Sequence, residues 1–193
     1  MARTLRQRAA RILVEVVSVV FAVLVALAVD EWRQDRQVRH DAEAAKAAIL
    51  AELRANDAEL VRTGPSVDSL AARLAVLRER IRAGSRSTTG SLNVQLPDFS
   101  DAAWRTAQMT RATTHLDLAW LIRVAKAYEA QSLYTDLRND VVHTFAGING
   151  DESTSALTRL AGQLGVLQQL GAGLEAKYDT IFAPPADTTG GSP

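Results

Sequence analysis

The chain has 193 residues, contains no cysteine, and balances 22 basic residues against 22 acidic ones. Without cysteine it can form no disulfide, thiolate nucleophile or cysteine metal site, and its charge lacks the basic surplus typical of nucleic-acid-binding proteins. Hydrophobic residues make up 47% of the chain, which is enough for the core of one domain.

The N-terminal eleven residues carry all the unopposed charge. Arg3, Arg6, Arg8 and Arg11 occur there without an acidic residue. From Asp30 onward, 18 basic residues face 21 acidic ones, so the rest of the chain is mildly acidic. If the following segment crosses a membrane, the positive-inside rule predicts a cytoplasmic N-terminus and an exported body.

The apolar run that follows comprises the 18 residues from Ile12 to Val29, interrupted by Glu15 and Ser18. As a helix it covers about 27 Å, close to the roughly 30 Å of a bilayer's hydrocarbon core. A lone segment in lipid must satisfy its own backbone groups and therefore forms a helix. The sequence predicts a transmembrane helix here.

Charged and aromatic side chains flank the run where membrane-interface anchors are expected. Arg8 and Arg11 precede it, and Trp32 follows it. The predicted organisation is a cytoplasmic basic N-terminus at 1–11, a transmembrane helix at 12–32, a helical-bundle domain at 33–182 and a disordered tail at 183–193.

Two alternatives compete with a retained anchor. Ala26-Leu27-Ala28 resembles the small-residue end of a secretory signal, so that residues 1–28 are removed after export. Against cleavage, Glu15 interrupts the run and the helical pattern continues beyond Ala28. The run is also long enough for a buried core helix, but it has no polar face to turn to water. We expect the anchor to be retained.

Two segments carry a family resemblance. "VEVVSVVFAVLVALAVDEWRQDR" and the stretch Ala103–Gln131 resemble a bacterial family of small single-pass membrane proteins of unknown function. That family shares an early acidic residue in the span, a D-E-W-type exit and a Trp-centred central segment. Arg111-Ala112-Thr113 stands where the family usually has glycine. The resemblance implies a membrane-anchored helical protein and no activity.

Apolar residues spaced three and four apart predict a long helix after Trp32. This stripe comprises Val38, Ala42, Ala45, Ile49, Leu53 and Leu60, with Asn56 in the remaining position. Gly64-Pro65 is predicted to end the helix, with Pro65 in the first turn of the next one. The next stripe is a short coiled-coil-like seam of Val67, Leu70, Leu74, Leu77 and Ile81.

The rest of the chain also favours helices after a loop that begins at Gly84. Leu92, Val94 and Leu96 alternate with polar residues, as in an edge strand or an extended cover; we favour the cover. Ser100 is a candidate cap for a helix that begins near Asp101.

A second break is expected near Thr113. A capping box at Thr114 and Asp117 predicts a helix from there to about Phe145. Gly147–Gly150 forms a turn, and Ser153 caps a last helix. Its stripe comprises Leu157, Leu160, Leu164, Leu167, Leu170, Leu174, Tyr178 and Ile181. The predicted fold class is all-α, an N-terminal transmembrane helix that continues into an antiparallel helical bundle.

No catalytic, cofactor or metal site is expected. The histidines His40, His115 and His143 are far apart, and the sequence contains no nucleotide-binding or nucleophile-elbow motif. We therefore expect a protein that is not an enzyme and needs no cofactor.

The apolar run contains a candidate assembly face. A carboxylate within a membrane span is costly and commonly has a role, so Glu15 is its first member. Ser18, Ala22 and Ala26 lie on nearly the same helical face, where small residues let spans approach closely. A simpler interpretation pairs Glu15 with Arg11, four residues earlier. The assembly interpretation predicts a homo-oligomer.

Two function classes follow. The first is a structural or interaction component of the bacterial envelope, single-pass in the inner membrane, whose partners are the lipid bilayer, copies of itself and possible envelope proteins. The alternative is a ligand-sensing or transport-accessory module, with a pocket lined by Trp104, Trp120, Tyr128 and Tyr134. About eleven cytoplasmic residues are too few for a signalling output, which favours the first.

Overall fold

The computed structural model describes residues 2–84, 95–110, 112–147 and 153–183, with the side chains of 2–17, 19, 153 and 154 left outside that description. These segments contain no strand. They form four α-helices and one 3-10 turn: α1 (Ala2–Arg82), α2 (Ala102–Met109), the turn Ala112–His115, α3 (Leu118–Ala146) and α4 (Ser153–Phe182). The prediction of an all-α helical bundle is confirmed.

Helix α2 runs back along α1. Near the start of α2, the Ala103 N–H donates to the Glu52 carboxylate at 3.0 Å. At its end, Thr110 lines the same cleft as Asp41, eleven positions earlier on α1. The 3-10 turn then packs on α1 and reverses the chain.

Helices α3 and α4 complete an up-down-up-down arrangement. In α3, Trp120 lies against Lys46 and Tyr128 contacts Glu52, so α3 runs in the direction of α1. Helix α4 runs back between α1 and α3. Leu157, near the start of α4, lies beside Ile81, near the end of α1. Consecutive helices therefore alternate in direction, and α4 packs against both long neighbours.

The core forms where the predicted apolar stripes of α1 and α4 pack against each other. On α1 the buried positions alternate at spacings of four and three: Ile49, Leu53, Asn56, Leu60, Thr63, Val67, Leu70 and Leu74. On α4 they are Leu157, Leu160, Leu164, Leu167, Leu174, Tyr178 and Ile181. Leu170 is only half-buried, because Gly171 occupies the inward position between α1 and α3.

The predicted helix end at Gly64-Pro65 is wrong, since α1 continues through Pro65. Pro65 removes the N–H that would bond the carbonyl of Val61. Both residues are exposed, so water can reach that carbonyl. Buried Thr63 joins the two predicted stripes in one phase, and packing of the joined stripe on α4 outweighs the local preference of proline.

The predicted capping box is also wrong in its register. Asp117, not Thr114, caps α3, and its carboxylate accepts a hydrogen bond from the Trp120 N–H at 2.7 Å. Thr114 lies within the 3-10 turn. Aspartate is at least as good a helix cap as threonine. Thr114 is not available as the cap, because it lies inside the 3-10 turn that precedes α3. Helix α3 ends at Ala146, one residue beyond the expected end.

Residues 95–100 form an extended cover rather than a strand. The Arg138 guanidinium donates to the Pro97 carbonyl at 2.6 Å, and Phe99 packs edge-on against Tyr134 with ring centroids 5.3 Å apart. Leu92 and Val94, the turn at 148–150 and the tail from residue 184 lie outside the described residues.

Candidate functional site: the exposed apolar segment of α1 and the polar contacts that support it

The N-terminal part of α1 extends beyond the bundle. Every side chain from Val20 to Gln37 is exposed. The large apolar ones are 45–66% exposed: Val20, Phe21, Val23, Leu24, Val25, Leu27, Val29 and Trp32. Neighbouring helical positions point about 100° apart, so these side chains surround the helix and leave no polar face.

Among the side chains that the structure describes, we find no helical stretch that is both long and apolar enough to span a membrane. The predicted span at 12–32 includes side chains outside that description, at 12–17 and 19. The transmembrane helix therefore stays a prediction.

The structure brings the predicted assembly residues onto one helix without a partner from the bundle. Ser18, Ala22 and Ala26 follow one another at four-residue spacing on α1, and all are exposed. Glu15 lies one turn earlier on the same helix, and its side chain is outside the description. Nothing in the described part of the bundle covers this face, so it is free to meet a surface from outside.

The predicted membrane-interface anchors also lie on α1. Trp32 is 59% exposed, and the Arg36 guanidinium lies 5.2 Å from its ring centroid. A cation over an aromatic face is favourable, and the pair suits a polar–apolar boundary. Arg8 and Arg11 lie within the helix, with side chains outside the description.

A polar cluster around Glu52 ties α1 to the segments that pack on it. The Glu52 carboxylate accepts hydrogen bonds from the Ser100 hydroxyl at 2.7 Å, the Ala103 N–H at 3.0 Å and the Tyr128 hydroxyl at 2.7 Å. Burial raises the pKa of Glu52, but these hydrogen bonds outweigh burial and leave the pKa below its usual value. Glu52 is thus held ionised as a structural acceptor.

Asn56, one turn further along α1, holds the extended segment. Its side chain donates to the Ser100 carbonyl at 2.7 Å and accepts from the Ser100 N–H at 3.0 Å. Asn56 is 3% exposed, so both polar ends of its amide are satisfied inside the protein. Sequence reasoning missed Glu52, and the asparagine within an apolar stripe was the one signal of a polar contact there.

A third polar contact lies between α3 and α4. The buried Gln131 amide donates to the Tyr178 hydroxyl at 2.6 Å. Burial raises the pKa of Tyr178 above its usual range, against the effect of this hydrogen bond. Such contacts form in one register of the helices only, so they make the packing specific.

The aromatic residues predicted to line a pocket are packed against the protein itself. Trp104 stacks on Tyr128 with ring centroids 5.4 Å apart, and Lys46 covers Trp120. Burial raises the pKa of Tyr134 to about 12. Each ring is therefore explained by contacts within the bundle.

A cleft of about 470 Å³ lies between α1 and α2. Its lining is Asp41, Ala44, Ala45, Ala48, Ala102, Ala103, Thr106, Ala107, Thr110 and Ala112. Methyl groups dominate, so the cleft offers little for a polar ligand to bind. Across the described segments, no three His, Asp or Glu side chains are grouped to hold a metal ion.

We compared the chain with models of known protein families, with curated proteins and with solved structures, and none matched. The resemblance of the two segments to a bacterial membrane-protein family therefore stays a prediction.

Proposed function

We propose that this protein is a membrane-anchored helical bundle that acts as a structural or interaction component of the bacterial envelope. In this proposal residues 12–32 cross the inner membrane, the N-terminus is cytoplasmic, and the bundle lies on the outer side. The protein associates with itself through its membrane helix and is a candidate partner for other envelope proteins.

The observation that carries the proposal is the apolar segment from Val20 to Trp32, exposed on all sides of a helix that continues into the bundle without a break. Exposing so much apolar surface to water costs on the order of 25 cal/mol per Å². A single partner groove would cover one face of this helix, whereas lipid covers the whole circumference. A bilayer is therefore the environment that best fits it.

Self-association rests on the small-residue face of the same helix. Ser18, Ala22 and Ala26 let two helices approach closely. A carboxylate at Glu15 is less costly against protein than against lipid. Most of the stripe from Val38 to Leu60 is already buried in the monomer's own bundle, which leaves the apolar segment as the surface for assembly.

The sensing or transport-accessory alternative has less support. It needs a pocket with convergent polar groups near Trp120, but the rings expected to line such a pocket are held by Tyr128, Phe99 and Lys46. A scaffold role requires only the anchor, the bundle and the exposed surface.

The topology is tested by reporter fusions in a bacterial host. Alkaline phosphatase fused after Ala183, the last described residue, should be active because it folds only after export. A cytoplasmic fluorescent reporter at the same point should be dark. The matched control moves the four arginines of the N-terminus to the other side of the run, which should reverse both results. An active cytoplasmic reporter on the natural sequence would contradict the proposal.

A further inference from the structure

We draw no further inference here: the strongest candidate, the uncharged outer face of α4 on which Gly162, Gly165 and Ala172 are exposed, is a strip of small residues, and nothing in the described part of the structure shows what covers it.

Discussion

Individual polar residues set the register of the helices in this bundle relative to one another. Glu52 collects donors from the extended segment, from α2 and from α3, although its own helix position is on the edge of an apolar stripe. Asn56, one turn along α1 from Glu52, exchanges two hydrogen bonds with the backbone of Ser100. These contacts join segments that are far apart in sequence. They fix the positions of these segments relative to α1, which apolar packing alone does less specifically.

Glu52→Gln should destabilise the protein at neutral pH by about 1–3 kcal/mol, because it removes a charged acceptor from several hydrogen bonds. Since the folded-state pKa of Glu52 is lowered, its stabilisation is present above its usual pKa of 4.5 and is lost as pH falls through the folded value. Thermal unfolding of detergent-solubilised protein, followed by circular dichroism, should show the difference from the wild type shrinking in acid.

The control is Glu79→Gln, which loses only an exposed ion pair with Arg82 and should change the midpoint little at any pH. A Glu52→Gln variant that unfolds like the wild type at neutral pH would show that the cluster contributes nothing.

Gly171 permits the close approach of α4 to its two neighbours. A Cβ added there would lie 3.6 Å from the Tyr134 ring and 3.7 Å from a Leu60 methyl group, which is ordinary contact. Gly171→Ala should therefore fold and gain up to about 1 kcal/mol of helix propensity. Gly171→Leu should be strongly destabilised, because its larger side chain has no space between those groups.

The matched control is Gly165→Leu, at an exposed position of the same helix with nothing near its Cβ. Denaturant titration compares the variants. Equal stabilities for Gly171→Leu and Gly165→Leu would contradict the packing at Gly171.

At the scale of elements, α1 is the unusual feature. Its 81 residues combine the apolar segment, an exposed polar stretch from Arg33 to Gln37 and one side of the core. Helices of this length in small proteins depend on tertiary packing for most of their stability. Here α4 supplies that packing on both sides of Pro65, from Leu60 to Leu74.

Pro65→Ala should stabilise the protein by about 1–3 kcal/mol, since it restores one helical hydrogen bond and removes the clash of the ring with the preceding turn. Gly64→Ala, next to it and with free space around its Cβ, is the control for propensity alone and should gain less. Urea titration measures both. A loss of stability in Pro65→Ala would mean that the bundle needs the irregularity that proline imposes on α1.

At the scale of the molecule, one rigid helix joins the apolar segment to the bundle. No described break separates Ser18 from Leu60, so a rotation of the apolar segment about its axis must be transmitted to the core side of α1. Assembly through the apolar segment would therefore fix the orientation of neighbouring bundles toward one another.

We expect single cysteines at Ser18, Ala22 and Ala26 to form cross-linked dimers in native membranes, because these small residues allow close approach of two spans. Cysteine at Phe21, a large residue on another face, is the matched control and should cross-link less. Adding Glu15→Leu should reduce the cross-links if Glu15 belongs to the interface, and should leave them unchanged if it pairs with Arg11. Monomers at all three positions in folded protein would refute self-association through this face.

The spacing of apolar residues in the sequence was sufficient to predict most of the buried positions on α1 and α4. The spacing of the α4 stripe from Leu157 to Ile181 identified its buried side correctly except at Leu170 and Gly171. The α1 stripe was correct at its central positions on either side of Gly64-Pro65, whereas Val38, Ala45, Leu77 and Ile81 are only partly buried. These predictions succeed because a helix has one period, and burial of one face repeats with it.

Where local and distant preferences disagree, only the tertiary structure decided which of them prevails. Pro65 argues locally for a helix end, but α4 buries a stripe that continues past it. The donors to Glu52 lie 48, 51 and 76 positions away, and no local spacing encodes such a meeting. Met109, the last residue of α2, and Leu118, the first of α3, are exposed for a similar reason, because burial beside a turn is set by the neighbouring elements.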